Sequence, residues 1–220
     1  MLPLHCTHLI FDLDGTLIDS APSILSCFRK ILDQARIAPL LPLDESLIGP
    51  PLPQTLQTLT GIRDESRIAA LVDAFKDVYD SEGYRDSLPY SGVPEMLAGL
   101  QAAGHRLALA TNKRILPTQL ILRHLDWDGY FDSVWSLDCV QPRLADKTAM
   151  LRAILQAGSI APAQAAYIGD KIEDGHAAQA NAMRFVAARW GYGEFPDSPA
   201  DWRHLDSPQQ LAALFASPKE

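Results

Sequence analysis

The 220-residue sequence predicts an α/β fold, a mainly parallel β-sheet with helices on both faces, with a small helical domain inserted after the first strand. Three observations carry this reading. Short apolar runs alternate with stretches of helical periodicity, the order that makes parallel strands joined by helical crossovers. One interval, residues 20–88, offers helices but no convincing strand. Hydrophobic residues make up 47% of the chain and charged residues 21%, enough to build one large core with a satellite and too apolar for a disordered chain.

The elements follow in order. Residues 7–12 read as a buried strand built on Leu9-Ile10-Phe11. Helices are expected at 21–35, 52–59 and 64–81. Between them Pro39-Leu40-Leu41-Pro42 and Gly49-Pro50-Pro51 act as breaks, because proline lacks the amide a helix needs. Residues 92–103 place Val93, Met96, Leu97 and Leu100 at helical spacing, with Gly104 as the stop. Strands at 106–110, 133–137, 165–168 and 184–188 then alternate with helices at 115–125, 147–157 and 172–182. The tail beyond Gly191, with Pro196, Pro199 and Pro208, reads as loop and one short final helix. Residues 1–19 and 89–220 therefore make the α/β domain and 20–88 the helical one.

Charge and composition exclude several classes. Nineteen basic against 27 acidic residues give a net charge of -8 with no basic run, which argues against a nucleic-acid partner. The start, MLPLHCTHLIF, has no basic region followed by an apolar one, and no uncharged stretch is long enough to cross a bilayer, so a cytoplasmic protein without membrane contact is expected. Cys6, Cys27 and Cys139 are odd in number and scattered, as reduced structural thiols would be.

The chemistry concentrates at strand ends. In HLIFDLDGTLIDS, Asp12 and Asp14 sit two apart at the mouth of a buried strand, where each carboxylate disfavours ionisation of the other unless something compensates. Ligands of open parallel sheets gather at the carboxyl edge. Thr111 and Asn112 follow LALA there, Asp170 follows AAYIG, and Lys147 opens a helix. Asp170 and Asp174 are four apart and would share one helix face. With Asp12 they form an oxygen-rich set suited to Mg²⁺. D-x-D-G-T alone is only moderately specific, since Asp-Gly after a strand is more often a plain turn.

FDLDGTLIDS, PYSGVPEMLAGLQAAGHRLALATNK, DWDGYFDSV, DKTAML and YIGDKIEDGHAAQANAM occur in that order between His8 and Met183. Together they resemble the haloacid dehalogenase-like phosphohydrolase superfamily, in its phosphoglycolate-phosphatase-like branch, whose Rossmann-like core carries a helical cap after the first strand. The resemblance implies a Mg²⁺-dependent phosphatase acting on a small phosphorylated metabolite. Asp12 would be the nucleophile that forms an aspartyl-phosphate. Asp14 would be the acid and base, its backbone carbonyl helping to hold Mg²⁺. Thr111, with Asn112, would contact the phosphoryl oxygens, and Lys147 would neutralise their charge and that of Asp12. Asp170 would bind the metal, supported by Asp174. Gly15 and Thr16 would turn the chain so that backbone amides face the phosphate.

Two departures stand out. Many relatives carry Lys-Pro at the third motif, whereas here Lys147 lies in DKTAML with Arg143 as a rival cation; and His176, after the second Asp, reads as a solvated helix-face residue, as does Glu173. Phosphoglycolate is the leading substrate and a nucleoside monophosphate or pyrophosphate the alternative. Asp14 argues against a dehalogenase. Lys30 and Lys76, on charged helix faces, argue against Schiff-base phosphonate chemistry, and LIGPPLPQTLQTL lacks a recognisable sugar-mutase loop. The resemblance assigns selectivity to the cap, with Gly49-Pro50-Pro51-Leu52 as its closing loop. A catalytically quiet binding protein on the same fold is the alternative from another class. Trp127, Trp135, Trp190 and Trp202 read as packing residues, and His5, His8, His105, His124 and His204 as structural ones.

Overall fold

The structure, a computed structural model, describes residues 6–215. His5 and the first residues of the chain lie outside the described part. The chain divides into two compact units, one made of the residues up to Asp19 together with those from Pro89 onward, the other Ser20–Leu88.

Among the described residues the first unit is a six-stranded sheet in which every neighbouring pair is parallel, in the order β5 (Ser133–Ser136), β4 (Arg106–Thr111), β1 (His8–Phe11), β6 (Ala165–Gly169), β7 (Arg184–Ala188), β8 (Arg203–Leu205). Strand β1 (His8–Phe11) is fully buried at Leu9, Ile10 and Phe11 because it is the central strand, flanked by β4 (Arg106–Thr111) and β6 (Ala165–Gly169). Phe11 is level with Leu109 on one side and Ile168 on the other, so the three strands end at one rim. The short strands β2 (Ile18–Asp19) and β3 (Leu88–Pro89) mark where the chain leaves for the second unit and returns. Tyr90 N donates to Leu17 O at 3.1 Å on re-entry.

Helices α4 (Val93–Ala102), α5 (Ile115–His124), α6 (Lys147–Ala157) and α7 (Ile172–Ala180) form the crossovers between parallel strands. From α6 and α7 the residues Met150, Leu151, Ile154, Ala177 and Ala178 pack on Ile10, Tyr167, Phe185 and Ala187 of the sheet. Burying such side chains contributes about 1.5–3 kcal/mol each for the larger ones.

The chain runs from β1 to β4 and β5 (Ser133–Ser136) on one side, then crosses to β6 and β7 (Arg184–Ala188) on the other. The connections leaving β1 and those leading to β6 therefore diverge, the topology at which ligands of open parallel sheets gather, at the carboxyl end of β1.

The tail departs from expectation. Residues Arg203–Leu205 form β8, an edge strand parallel to β7, before the final helix α8 (Pro208–Phe215). Arg203-His204-Leu205 shows no apolar run because an edge strand of three residues needs little more than its backbone bonds to one neighbour. Helix α7 also ends earlier than its pattern suggests, since Ala182 takes a left-handed φ of 54° and terminates the turn.

The second unit holds α1 (Ala21–Ala35), α2 (Leu52–Thr60) and α3 (Glu65–Ser81). Asp64 caps α3 by accepting from Arg67 N at 2.9 Å. Phe28, Ile31, Leu32, Leu56, Leu59, Leu71, Phe75 and Tyr79 form its own core. Phe75 stacks on Tyr79 with centroids 5.6 Å apart. Among the described residues no disulfide joins the three cysteines, and Cys6 and Cys27 are buried. Among the described residues no helix is long and apolar enough to cross a membrane.

Candidate active site

Asp12 is the first residue past β1, and its N–H donates to Ile168 O at 2.9 Å, which holds the side chain at the strand end. Its Oδ2 accepts from Lys147 Nζ at 2.9 Å. Its Oδ1 is buried and has no hydrogen-bond partner. Burial pushes this carboxyl up to about 6, with the Lys147 ammonium pulling down and the Asp174 charge adding repulsion.

Asp170 follows β6 and is fully buried. Its Oδ1 accepts from the Thr16 hydroxyl at 3.3 Å and its Oδ2 from Tyr192 N at 3.0 Å. Burial, then the charges of Asp174 and Asp12, raise it to about 7. Asp174, in the first turn of α7, accepts from Lys147 Nζ at 2.5 Å through Oδ1 and from Lys171 N at 3.0 Å through Oδ2. Helix α7 starts at Ile172, so Asp170 and Asp174 are not a pair on one helix face. A loop brings them together instead, and Gly169 permits it: a Cβ there would lie 2.4 Å from Asp174 Oδ2.

Oxygens of Asp12, Asp170 and Asp174 lie within 4.8 Å of one another. Three buried carboxylates against one ammonium leave an excess of negative charge in a medium that screens poorly. That excess and the orphaned Asp12 Oδ1 fit a hard divalent cation with oxygen ligands.

Lys147 is the first residue of α6, positioned by Asp146, which caps the helix by accepting from Ala149 N at 2.7 Å. Burial alone would lower its ammonium, but Asp12 and Asp174 overcome that and hold it well above its usual value. Its Nζ lies 5.7 Å from the centre of the Tyr167 ring. Tyr167 is itself anchored by donating to Ala110 O at 2.9 Å. Arg143 is exposed, so the cation at Asp12 is Lys147. Glu173 and His176 are exposed as well, His176 lying edge-on to Trp202 at 5.7 Å.

The chain turns sharply after Asp12, as expected. Gly15 N donates to Ile18 O at 2.9 Å and Thr16 N to Leu13 O at 3.2 Å, so these two amides close the turn itself. Thr16 is buried and its hydroxyl reaches Asp170. Gly15 is required by its φ of 81° and because a Cβ would lie 2.2 Å from Asp170 Oδ2. Thr111, buried at the end of β4, accepts from Lys113 N at 3.2 Å, while Asn112 beside it is exposed. Lys30 pairs with Glu82, and Lys76 with Asp73 at 3.0 Å, on exposed faces of the second unit.

Two contributors lie outside the site residues legible in the sequence. Lys113 Nζ lies 3.0 Å and 3.3 Å from the two carboxylate oxygens of Asp14, with the lysine side chain only 8% exposed. The segment Trp190-Gly191-Tyr192-Gly193, read as packing and loop, closes over Asp170. Trp190 Nε1 donates to Thr16 O at 2.9 Å, Tyr192 N bonds Asp170, and a Cβ on Gly191 would lie 2.1 Å from Gly15 O. The two glycines around an aromatic residue were the one visible signal.

Residues 9–188 match the family model described as haloacid dehalogenase-like hydrolase. The tyrosine-protein kinase PtkA of Mycobacterium tuberculosis is 33% identical over 84% of this chain, and the match spans 62% of that kinase. Its solved structure superposes with a TM-score of 0.80 at 28% identity, covering 97% of this chain and 99% of the solved one. A phosphoglycolate phosphatase of Xanthomonas campestris is 31% identical over 96% of this chain and 97% of its own length. A 5'-nucleotidase of Pseudomonas aeruginosa is 29% identical over 86% of each.

Proposed function

Because the chain belongs to the haloacid dehalogenase-like hydrolase family, we propose that it is a Mg²⁺-dependent phosphatase that hydrolyses a small phosphomonoester through an aspartyl-phosphate on Asp12. The observation that carries this is the state of Asp12. One oxygen is held and oriented by Lys147 while the other is buried without a partner, the oxygen left for a metal. A nucleophilic carboxylate needs one oriented oxygen, with its charge neutralised enough to meet an anionic phosphoryl group.

In the first half-reaction an Asp12 oxygen bonds to phosphorus, the bond from phosphorus to the ester oxygen breaks, and Asp14 gives that oxygen its proton. In the second, Asp14 takes a proton from a water that attacks the same phosphorus, releasing inorganic phosphate and restoring Asp12. Lys147 stabilises charge on Asp12 and on the phosphoryl oxygens, and Thr111 orients them. Asp12, Asp170 and Asp174, with the backbone carbonyl of Asp14, would hold the Mg²⁺, which when bound offsets charge on the carboxylates and the phosphoryl group.

Transfer to water rather than to a tyrosine is favoured by coverage. The phosphoglycolate phosphatase aligns over nearly its whole length, the kinase over 62% of its own. Phosphoglycolate is the substrate we favour. A nucleoside monophosphate is the second reading, carried by the 5'-nucleotidase relative.

Phosphate release from p-nitrophenyl phosphate with Mg²⁺ tests the reaction, and turnover no greater than that of an Asp12→Asn control would overturn it. Comparing kcat/KM for phosphoglycolate and a set of nucleoside monophosphates then decides the substrate.

A further inference from the structure

We propose that Lys113 reads the leaving group, recognising a second anionic substituent on the alcohol of the phosphomonoester. This rests on the function proposed above and assigns selectivity to a residue of the α/β unit. Asp14, as the acid, must lie against the ester oxygen, so whatever binds Asp14 lies beside the leaving alcohol. Lys113 Nζ contacts both oxygens of Asp14, at 3.0 and 3.3 Å.

The ammonium is placed by its loop. Lys113 N bonds the Thr111 hydroxyl at the end of β4, and Ile115 N bonds Asp138 Oδ1 at 2.9 Å, which anchors the following helix. With side-chain exposures of 8% for Lys113 and 18% for Asp14, the pair is already largely withdrawn from water. Much of the desolvation needed to bind an anion there has therefore been met in the fold. Charge complementarity identifies the ligand. A carboxylate carried one or two carbons from the ester oxygen competes with Asp14 for the same ammonium. An uncharged substituent leaves Lys113 on Asp14 and gains nothing from it. Lys147, committed to Asp12 and Asp174, is placed for the phosphoryl group. The two lysines thus divide the ends of a doubly anionic substrate between them.

The test compares kcat/KM for phosphoglycolate and for 2-hydroxyethyl phosphate, similar in size but neutral at the far end, in the wild type, Lys113→Gln and Lys113→Arg. A charge-assisted contact predicts that the phosphoglycolate preference falls about 10- to 100-fold in Lys113→Gln, mostly in KM, and largely persists in Lys113→Arg. Equal losses on both substrates would overturn the inference, as would an Arg variant that loses the preference as completely as Gln. Wild-type turnover of both esters no greater than that of Asp12→Asn would instead overturn the phosphatase reading and this inference with it. Thermal unfolding of each variant separates these outcomes from misfolding, and the Arg variant retains the test if Gln does not fold.

Discussion

Replacing Asp170 by Asn should stabilise the metal-free protein, and by an amount that depends on pH. Asp170 is fully buried and its carboxyl is raised from an ordinary 3.8 to about 7 by burial, with Asp174 and Asp12 adding to it. Because the folded value exceeds the unfolded one, the protonated acid favours folding. That stability is complete below the unfolded value and is lost as pH rises through about 7. The rise corresponds to about 4 kcal/mol at 1.36 kcal/mol for each pH unit. Asn keeps the geometry: its oxygen can accept from Tyr192 N, and its amide can donate to the Thr16 hydroxyl, which reverses its role. Urea unfolding in EDTA should therefore show the variant gaining on the wild type by about 3 kcal/mol between about pH 4.5 and about pH 8. Water entry and relaxation reduce the figure but not its sign. Adding Mg²⁺ at the higher pH should restore the wild type and leave the variant largely unmoved. A difference that does not change with pH, or an Asn variant that is the less stable at about pH 8, would refute the account of the cluster as an uncompensated anion site.

Four other outcomes follow from the same geometry. Asp12→Asn should lower kcat by roughly a thousandfold or more, because the nucleophile is removed, and a mass shift of one phosphoryl group trapped on wild type should be absent from the variant. Asp14→Asn should impair turnover of poor leaving groups while Mg²⁺ titration shows affinity largely retained, since the side chain pairs with Lys113 and stands outside the three-carboxylate cluster. Gly15→Ala should cost about 2–4 kcal/mol in chemical unfolding, combining a left-handed backbone with a Cβ placed against Asp170, and should weaken Mg²⁺ binding. Lys147→Met should cost about 3 kcal/mol in EDTA by leaving Asp12 and Asp174 without their ammonium, with Mg²⁺ recovering part of it.

Much of the scaffold was legible because local patterns were strong. Leu9-Ile10-Phe11 reads as a buried strand and becomes the central one. Lys147–Ala157 and Ala21–Ala35 carry helical spacing over whole segments and form helices with those bounds. Strand β8 was missed because an edge strand of three residues leaves almost no periodic mark. The Asp170/Asp174 pair was placed correctly in space for a reason that did not hold, since the helix begins after Asp170 and the loop makes the approach.

What the sequence by itself determined was the alternation of strand and helix, the helical insertion and the strand-end acids, because each follows from short-range periodicity or from a charge beside an apolar run. Only the tertiary structure decided which cation meets which acid. Lys147 bridges Asp12 and Asp174, 135 and 27 residues away, while Lys113 bridges to Asp14 across 99. Arg143, nearer to Lys147 in sequence than any of these acids, stays exposed. Coulomb attraction acts through space, and the parallel sheet sets those distances by bringing the ends of β1, β4 and β6 to a common rim.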